Sequence, residues 1–180
     1  MIIITFQHMV GFITIAWIVS RVIAYFINKK TTLKNELKML MVYICLIVIS
    51  RVVYFPLHHV DGHIGTLVFD KDRIYPLWLS LKPFTFAWER YDGWQINVIG
   101  NIAMFIPVGI VWPVCFKKLN NFGKTVLAGA AYSFLIEMSQ LLFYDRGTDI
   151  DDLILNTTGV VIGALIYFLI HNKSSTGDRK

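Results

Sequence analysis

Long apolar runs separated by shorter polar segments organise this chain. Five stretches are apolar enough over enough residues to read as membrane helices: about 2 to 27, 39 to 55, 96 to 116, 125 to 144 and 153 to 171. A bilayer core about 30 Å thick takes roughly 20 apolar residues per helix. The pattern therefore predicts an all-α integral membrane protein, with residues 1–180 forming a single bundle of about five transmembrane helices and no second domain. The first stretch lacks a preceding basic segment and is too long for the apolar part of a signal peptide, so it reads as a retained helix.

Composition points the same way. The chain is 56% hydrophobic and 16% charged, with a mean hydropathy of +0.57, whereas soluble domains carry about 25% charged residues. Cys45 and Cys115 fall inside apolar stretches, which argues for small apolar fillers rather than a disulfide framework or a metal-type pair. The sequence holds no internal repeat, Gly-rich phosphate loop or basic-aromatic nucleic-acid motif, so no nucleic-acid partner is expected.

Charge placement predicts the orientation. Positive residues in short connections favour the cytoplasmic side. Lys29, Lys30, Lys34 and Lys38 outweigh Glu36 after the first stretch; Lys117, Lys118 and Lys124 follow the third; Lys173, Arg179 and Lys180 end the chain. With five spans these groups share one side, which places the N-terminus outside and the C-terminus in the cytoplasm. The pI near 9.2 then reflects this topology and anionic inner-leaflet lipid. The opposite side receives the connection 56 to 95, with Lys71, Arg73, Lys82 and Arg90 against Asp61, Asp70, Asp72, Glu89 and Asp92. It also receives DRGTDIDD, with Arg146 against Asp145, Asp149, Asp151 and Asp152.

Polar residues within the apolar runs are patterned too. Asn97 and Asn101 share a face of the third stretch, and Ser133, Glu137, Gln140 and Tyr144 form a stripe on the fourth. Asp152, Asn156, Gly159 and Gly163 recur at helical spacing on the fifth, and Arg51 lies in the outer half of the second. In the predicted topology these groups meet at one depth on the extracytoplasmic side, with Glu137 about 10 Å below the surface at 1.5 Å per residue. Ionisable groups inside a span normally face the bundle interior and find a partner, so Arg51 is expected to pair with Glu137. Arg21 reads as a residue that snorkels to the inner interface. The Gly159 and Gly163 spacing predicts close helix packing, and Pro107 and Pro113 predict a kink in the third span.

Three further constellations bear on chemistry. Asp149 and Asp152 can share a helix face while Asp151 points elsewhere, and the Asp149, Asp151 and Asp152 set is the expected cation site if a divalent ion is bound. His58, His59, Asp61 and His63 are metal-ligand types, but their spacing fits a solvated loop better than a metal motif. Tyr75, Trp78, Phe84, Phe86, Trp88, Tyr91 and Trp94 have the density of a segment lying at the lipid headgroups, able to cover a polar cavity.

Three blocks in order carry a resemblance: N-x-x-G-N-x-x-x-F-x-P-x-G from Asn97 to Gly109, S-x-x-x-E-x-x-Q from Ser133 to Gln140, and R-x-x-D-I-D-D-x-x-x-N-x-x-G from Arg146 to Gly159. Over roughly residues 95 to 170 the chain resembles the VanZ family of membrane proteins. Leu81, Lys82, Pro83 and Phe84 match the end of a family stretch that precedes the third span, while the first two spans carry little of the pattern. The resemblance implies a multi-pass protein of the bacterial cytoplasmic membrane and a link to teicoplanin-type glycopeptide resistance. It implies no reaction.

Residues and resemblance together leave three readings. In the first, Asn97, Asn101, Gln140, Arg146, Asn156 and Arg51, with Glu137, bind a membrane lipid or lipid-linked cell-envelope precursor at the outer leaflet. In the second, an enzyme acts on such a headgroup, with Glu137, Asp149 and Asp152 catalytic and a divalent cation on the Asp149, Asp151 and Asp152 cluster. The third is a small transporter, for which five spans leave little room.

Overall fold

The computed structural model describes residues 1–28, 31–55, 65–69, 79–88, 93–144 and 146–177. The chain divides into two compact units, Met1–Leu77 with Leu142–Arg146 and Trp78–Leu141 with Gly147–Lys180.

In the first unit, the three isoleucines Ile2–Ile4 form strand β1 instead of beginning a helix. Side chains branched at Cβ favour the extended backbone, and β1 pairs antiparallel with β2 (Leu67–Phe69), Ile2 opposite Phe69 and Ile4 opposite Leu67. The Thr5 hydroxyl then accepts the His8 N–H at 3.3 Å, and α1 (Phe6–Asn28) follows. Thr32 similarly caps α2 (Leu33–Tyr54), accepting from the Asn35 N–H at 3.3 Å. Helix α2 therefore starts before its apolar run does. Lys, Leu and Glu are good helix formers, so the turn containing Lys34, Glu36 and Lys38 is helical.

That turn changes the role of Arg21. Instead of merely snorkelling, its Nε donates to Glu36 Oε2 at 2.9 Å and its Nη2 to Oε1 at 2.7 Å, a bidentate pair joining α1 to α2. The same two helices meet where the Thr14 and Tyr43 hydroxyls lie 2.8 Å apart and the Trp17 and Tyr43 rings 5.3 Å apart.

In the second unit, β3 (Leu79–Ser80) runs parallel to β4 (Thr148–Asp149), with Ser80 opposite Asp149. Between them in sequence lie α3 (Thr85–Trp88), α4 (Trp94–Cys115), a 3-10 turn at Lys117–Leu119 and α5 (Phe122–Gln140); α6 (Ile150–Gly177) follows β4. Gly93 takes φ 86° immediately before α4, a left-handed conformation that suits glycine. The Asn121 side chain starts α5 by accepting the Lys124 N–H at 3.1 Å. Helix α4 continues as one element through Pro107 and Pro113.

The packing of this unit centres on α4 against α6. Phe105 and Val108 of α4 and Val160 and Ala164 of α6 are fully buried. A Cβ at Gly159 would strike the Ile102 carbonyl oxygen, one at Gly163 the Ile106 carbonyl oxygen, and one at Gly109 the Val160 carbonyl oxygen. The two backbones are therefore in contact, as the glycine spacing predicts. Helix α5 joins through Gly129 against Val160 and through Tyr132, whose ring lies 5.9 Å from Phe105 and 5.4 Å from Trp112.

Among the described residues, four helices are long and apolar enough to cross a membrane: Phe6–Ile27, Leu33–Tyr54, Trp94–Cys115 and Ile150–His171. The remaining predicted stretch is also helical, as α5, but carries Lys124, Ser133, Glu137 and Gln140 and is not among those four. Phe12, Ile15 and Phe26 of α1 are exposed, which a lipid solvent accommodates without penalty. The chain is a multi-pass helical membrane protein.

Candidate functional site

Helices α4, α5 and α6 each contribute polar side chains to one layer of the second unit. Asn101 on α4 donates from Nδ2 to Asp152 Oδ1 on α6 at 2.5 Å and to Asn97 Oδ1, one turn away on α4, at 2.9 Å. Asn156 follows Asp152 by one turn on α6, and its Nδ2 donates to Ser133 Oγ on α5 at 3.0 Å. Ser133 and Glu137 are one turn apart on α5, and both are buried. The predicted helical spacings thus become contacts between three helices. Gln140 completes the buried end of α5, whereas Tyr144 belongs to the first unit, where its backbone bridges to Val68.

Glu137 is tied to the start of α6 by the chain itself. Its Oε2 accepts the Asp149 N–H at 3.2 Å, and its carbonyl accepts the Thr148 hydroxyl at 2.6 Å. Asp149 in turn accepts the Asp151 N–H at 2.9 Å and a hydrogen bond from Ser80. Burial pushes the Asp149 carboxyl above the ordinary aspartate range, as does the nearby Asp151 charge; the hydrogen bonds from the Asp151 N–H and Ser80 act the other way. The Glu137, Asp149 and Asp152 carboxylates are near enough to repel one another.

Asp151 faces a different task. Its Oδ1 accepts the Phe84 N–H at 2.5 Å, and its Oδ2 accepts the Thr85 N–H at 2.7 Å, the Thr85 hydroxyl at 2.5 Å and the Phe86 N–H at 3.4 Å. The carboxylate thus closes off the first turn of α3, next to Phe84 in a left-handed conformation at φ 64°. Consecutive residues on a helix diverge by about 100°, which separates Asp151 from its neighbour Asp152. Both Asp151 oxygens are occupied, so it is poorly suited to share a cation with Asp149 and Asp152. Among the described residues, no group of three or more His, Cys, Asp or Glu side chains could hold a metal ion.

A pocket of about 350 Å³ opens beside this layer, lined by Leu79, Ser80, Gly147, Thr148 and Asp149. Ser80 and Thr148 are residues that sequence reasoning did not single out. The partial family match at Leu81 to Phe84 is the signal nearest to them, because it marks the segment that β3 and Asp151 hold in place.

The remaining candidates lie in the first unit. Arg51 donates from Nη1 to the Phe55 carbonyl at 3.1 Å and stands over the Phe6 ring at 5.8 Å, and Arg146 donates from Nη2 to the Tyr54 carbonyl at 2.6 Å. Two cations thus meet the C-terminal carbonyls of α2, where the helix dipole favours them. Asp145, His58, His59, Asp61, His63, Tyr75, Trp78, Tyr91, Lys29, Lys30, Arg179 and Lys180 lie outside the described residues.

Comparison with known proteins covers most of these elements. A family model for VanZ/LLP1 matches residues 40–171, from within α2 to α6, so the family signal reaches further toward the N-terminus than the three sequence blocks. Protein VanZ of Enterococcus faecium is 34% identical over 91 residues, which is 51% of this chain and 53% of that protein. The chain therefore spans about half the length of the curated relative it matches. No solved structure matches the chain. With α4, α5, most of α6 and the polar layer between them inside the matched region, the chain belongs to the VanZ/LLP1 family of membrane proteins.

Proposed function

We propose that the chain binds the headgroup of a membrane lipid or lipid-linked cell-envelope precursor at the outer leaflet, and through it contributes to resistance to teicoplanin-type glycopeptides. The observation that carries this reading is the buried polar layer in which Asn101 meets Asp152, Asn156 meets Ser133 and Glu137 meets the start of α6. Each ionisable group held inside a span costs roughly 2.5 to 3.5 kcal/mol on insertion scales. Helix association alone could be served by the glycine contacts of α4 and α6, so the polar layer calls for a further reason. The lysines of the inner connections support the outward placement of this layer, and the pocket beside Asp149 offers an entry to it.

The test is teicoplanin susceptibility in a sensitive Gram-positive host expressing wild type, Glu137→Gln or, as a control on an outward apolar position of α6, Leu165→Ala at matched membrane levels. Wild type and Leu165→Ala are expected to lower susceptibility, and Glu137→Gln to behave as empty vector. Wild type indistinguishable from empty vector would detach this chain from the resistance phenotype.

The proximity of three carboxylates favours a second reading, in which Glu137 transfers a proton to or from the bound headgroup, with Asp152 nearby holding Asn101 in place. Product formation on extracted envelope lipids, abolished by Glu137→Gln, separates this reading from simple binding.

A further inference from the structure

We propose that residues 79–88 form a docking surface for the phospholipid headgroup layer at the N-terminal ends of α4 and α6, with Leu81, Phe84 and Trp88 entering the layer and Lys82 meeting its phosphates. The proposal goes beyond the headgroup reading above and does not depend on what the pocket binds.

The segment turns apolar side chains outward. Leu79, Leu81, Phe84 and Trp88 are all exposed, Leu81 at 63% and Trp88 at 80%. Large apolar residues are ordinary on a surface when scattered, and mark an interaction site when gathered into one patch. The backbone beneath them is fixed. Asp151 accepts the Phe84, Thr85 and Phe86 N–H groups, and Phe84 stays at φ 64°, a left-handed conformation that a bulky side chain rarely adopts. Such a conformation persists only where the surroundings hold it, so the Phe84 ring is kept outward.

The anchor also sets the depth of the patch. Asp151 is the second residue of the apolar span Ile150–His171, and the N–H groups it binds therefore lie at the end of that span, where the hydrocarbon core gives way to headgroups. Helix α4 runs parallel to α6, with Ile102 against Gly159 and Ile106 against Gly163. It opens its own span at Trp94 and exposes Ile96 and Ile99 at the same end of the unit. The patch thus continues a surface that already faces lipid.

Charge favours phospholipid as the occupant. Lys82 is exposed between Leu81 and Pro83, and its flexible stem lets the ammonium rise to the phosphates while its apolar neighbours sit lower. Phosphates lie just outside the acyl chains, so an apolar patch with a cation at its rim complements both layers. Exposed tryptophan and phenylalanine at this level are the pattern of an interfacial anchor. Leu79 and Ser80 also line the pocket beside Asp149, and docking therefore puts the mouth of that pocket at headgroup depth.

The test uses the full chain reconstituted in phosphatidylglycerol vesicles, with tryptophan emission quenched either by lipid brominated near the top of its acyl chain or by acrylamide in the water. Subtracting the emission of Trp88→Phe isolates Trp88 from the rest of the five tryptophans. Shallow bromines are expected to remove most of the Trp88 emission and acrylamide little of it. Lys82→Glu, which reverses the charge at an exposed position, is expected to move part of that quenching from bromine to acrylamide.

Quenching of Trp88 by acrylamide alone overturns the proposal, because the segment then lies in water. Quenching by neither reagent also overturns it, since protein, such as a second copy of the chain, then covers the patch. Unchanged quenching in Lys82→Glu overturns the contact assigned to Lys82. None of these outcomes bears on the headgroup reading, which the susceptibility test decides separately.

Discussion

Gly163→Val is expected to unseat α4 from α6 and to lower stability by about 3 kcal/mol, the upper part of the range for overpacking a close contact. A Cβ at this position meets the Ile106 carbonyl oxygen head-on and stands 3.0 Å from the Gly109 Cα and the Ile106 carbonyl carbon. These are backbone atoms of a helix, so they cannot rotate aside as a side chain would. Separating the helices also strains the 2.5 Å bond from Asn101 to Asp152, because both residues sit on the same seam. In lipid the helices gain little from the hydrophobic effect on association, so close packing holds much of the interface. Gly100→Ala is the matched control. It lies on α4, the other helix of the pair, with nothing within 4 Å of an added Cβ, and alanine is the better helix former by about 1 kcal/mol. Thermal unfolding in detergent should show a lowered transition for Gly163→Val and an unchanged or raised one for Gly100→Ala. If the valine variant melts with wild type, the backbone contact does not hold the unit together.

Asp151→Ala is expected to release the segment from Leu79 to Trp88. The carboxylate accepts three backbone N–H groups and a hydroxyl from Phe84, Thr85 and Phe86. Hydrogen bonds to a charged group contribute about 1.5 to 3 kcal/mol each, though water repairs part of the loss at exposed positions. Phe84 is 51% exposed, so a net cost of about 3 kcal/mol is the reasonable scale. An opening free energy reduced by that amount speeds amide exchange by roughly a hundredfold. Hydrogen exchange at Phe84, Thr85 and Phe86 reads this directly. Asp151→Asn keeps one good acceptor and should fall between alanine and wild type. Protection unchanged in Asp151→Ala would mean that pairing of β3 with β4 suffices to hold the segment.

The two variants probe contacts of different legibility. Gly159 and Gly163 announce close packing by their spacing, and the three family blocks place Asn101, Glu137 and Asp152 in the layer where the helices meet. The partner of Asp151 lies more than sixty residues away in sequence, and nothing local marks it. By pattern alone Arg21 reaches for the interface, because Glu36 falls outside the apolar stretches. Hydropathy marks the part of a helix that sits in lipid, and α2 extends past that part into Leu33 to Lys38. Strands β1 to β4 leave no mark in the pattern for a related reason. Pairings of two or three residues carry no periodic signal and depend on a distant partner.

The sequence by itself determined that this is a helical membrane protein, since burial of backbone hydrogen bonds in lipid leaves long apolar runs little choice but helix. It also determined, through helical spacing, which helix faces are polar, whereas Asp149, expected to share a helix face with Asp152, lies in β4 just before α6. Tertiary structure alone decided which donors meet those carboxylates, that Asp151 anchors Phe84 to Phe86 and so stands apart from a shared cation, and that Ser80 and Thr148 line a pocket beside Asp149. Periodicity is a property of one helix, whereas a site is made where several segments converge, and hydrogen-bond partners across such a junction are set by packing.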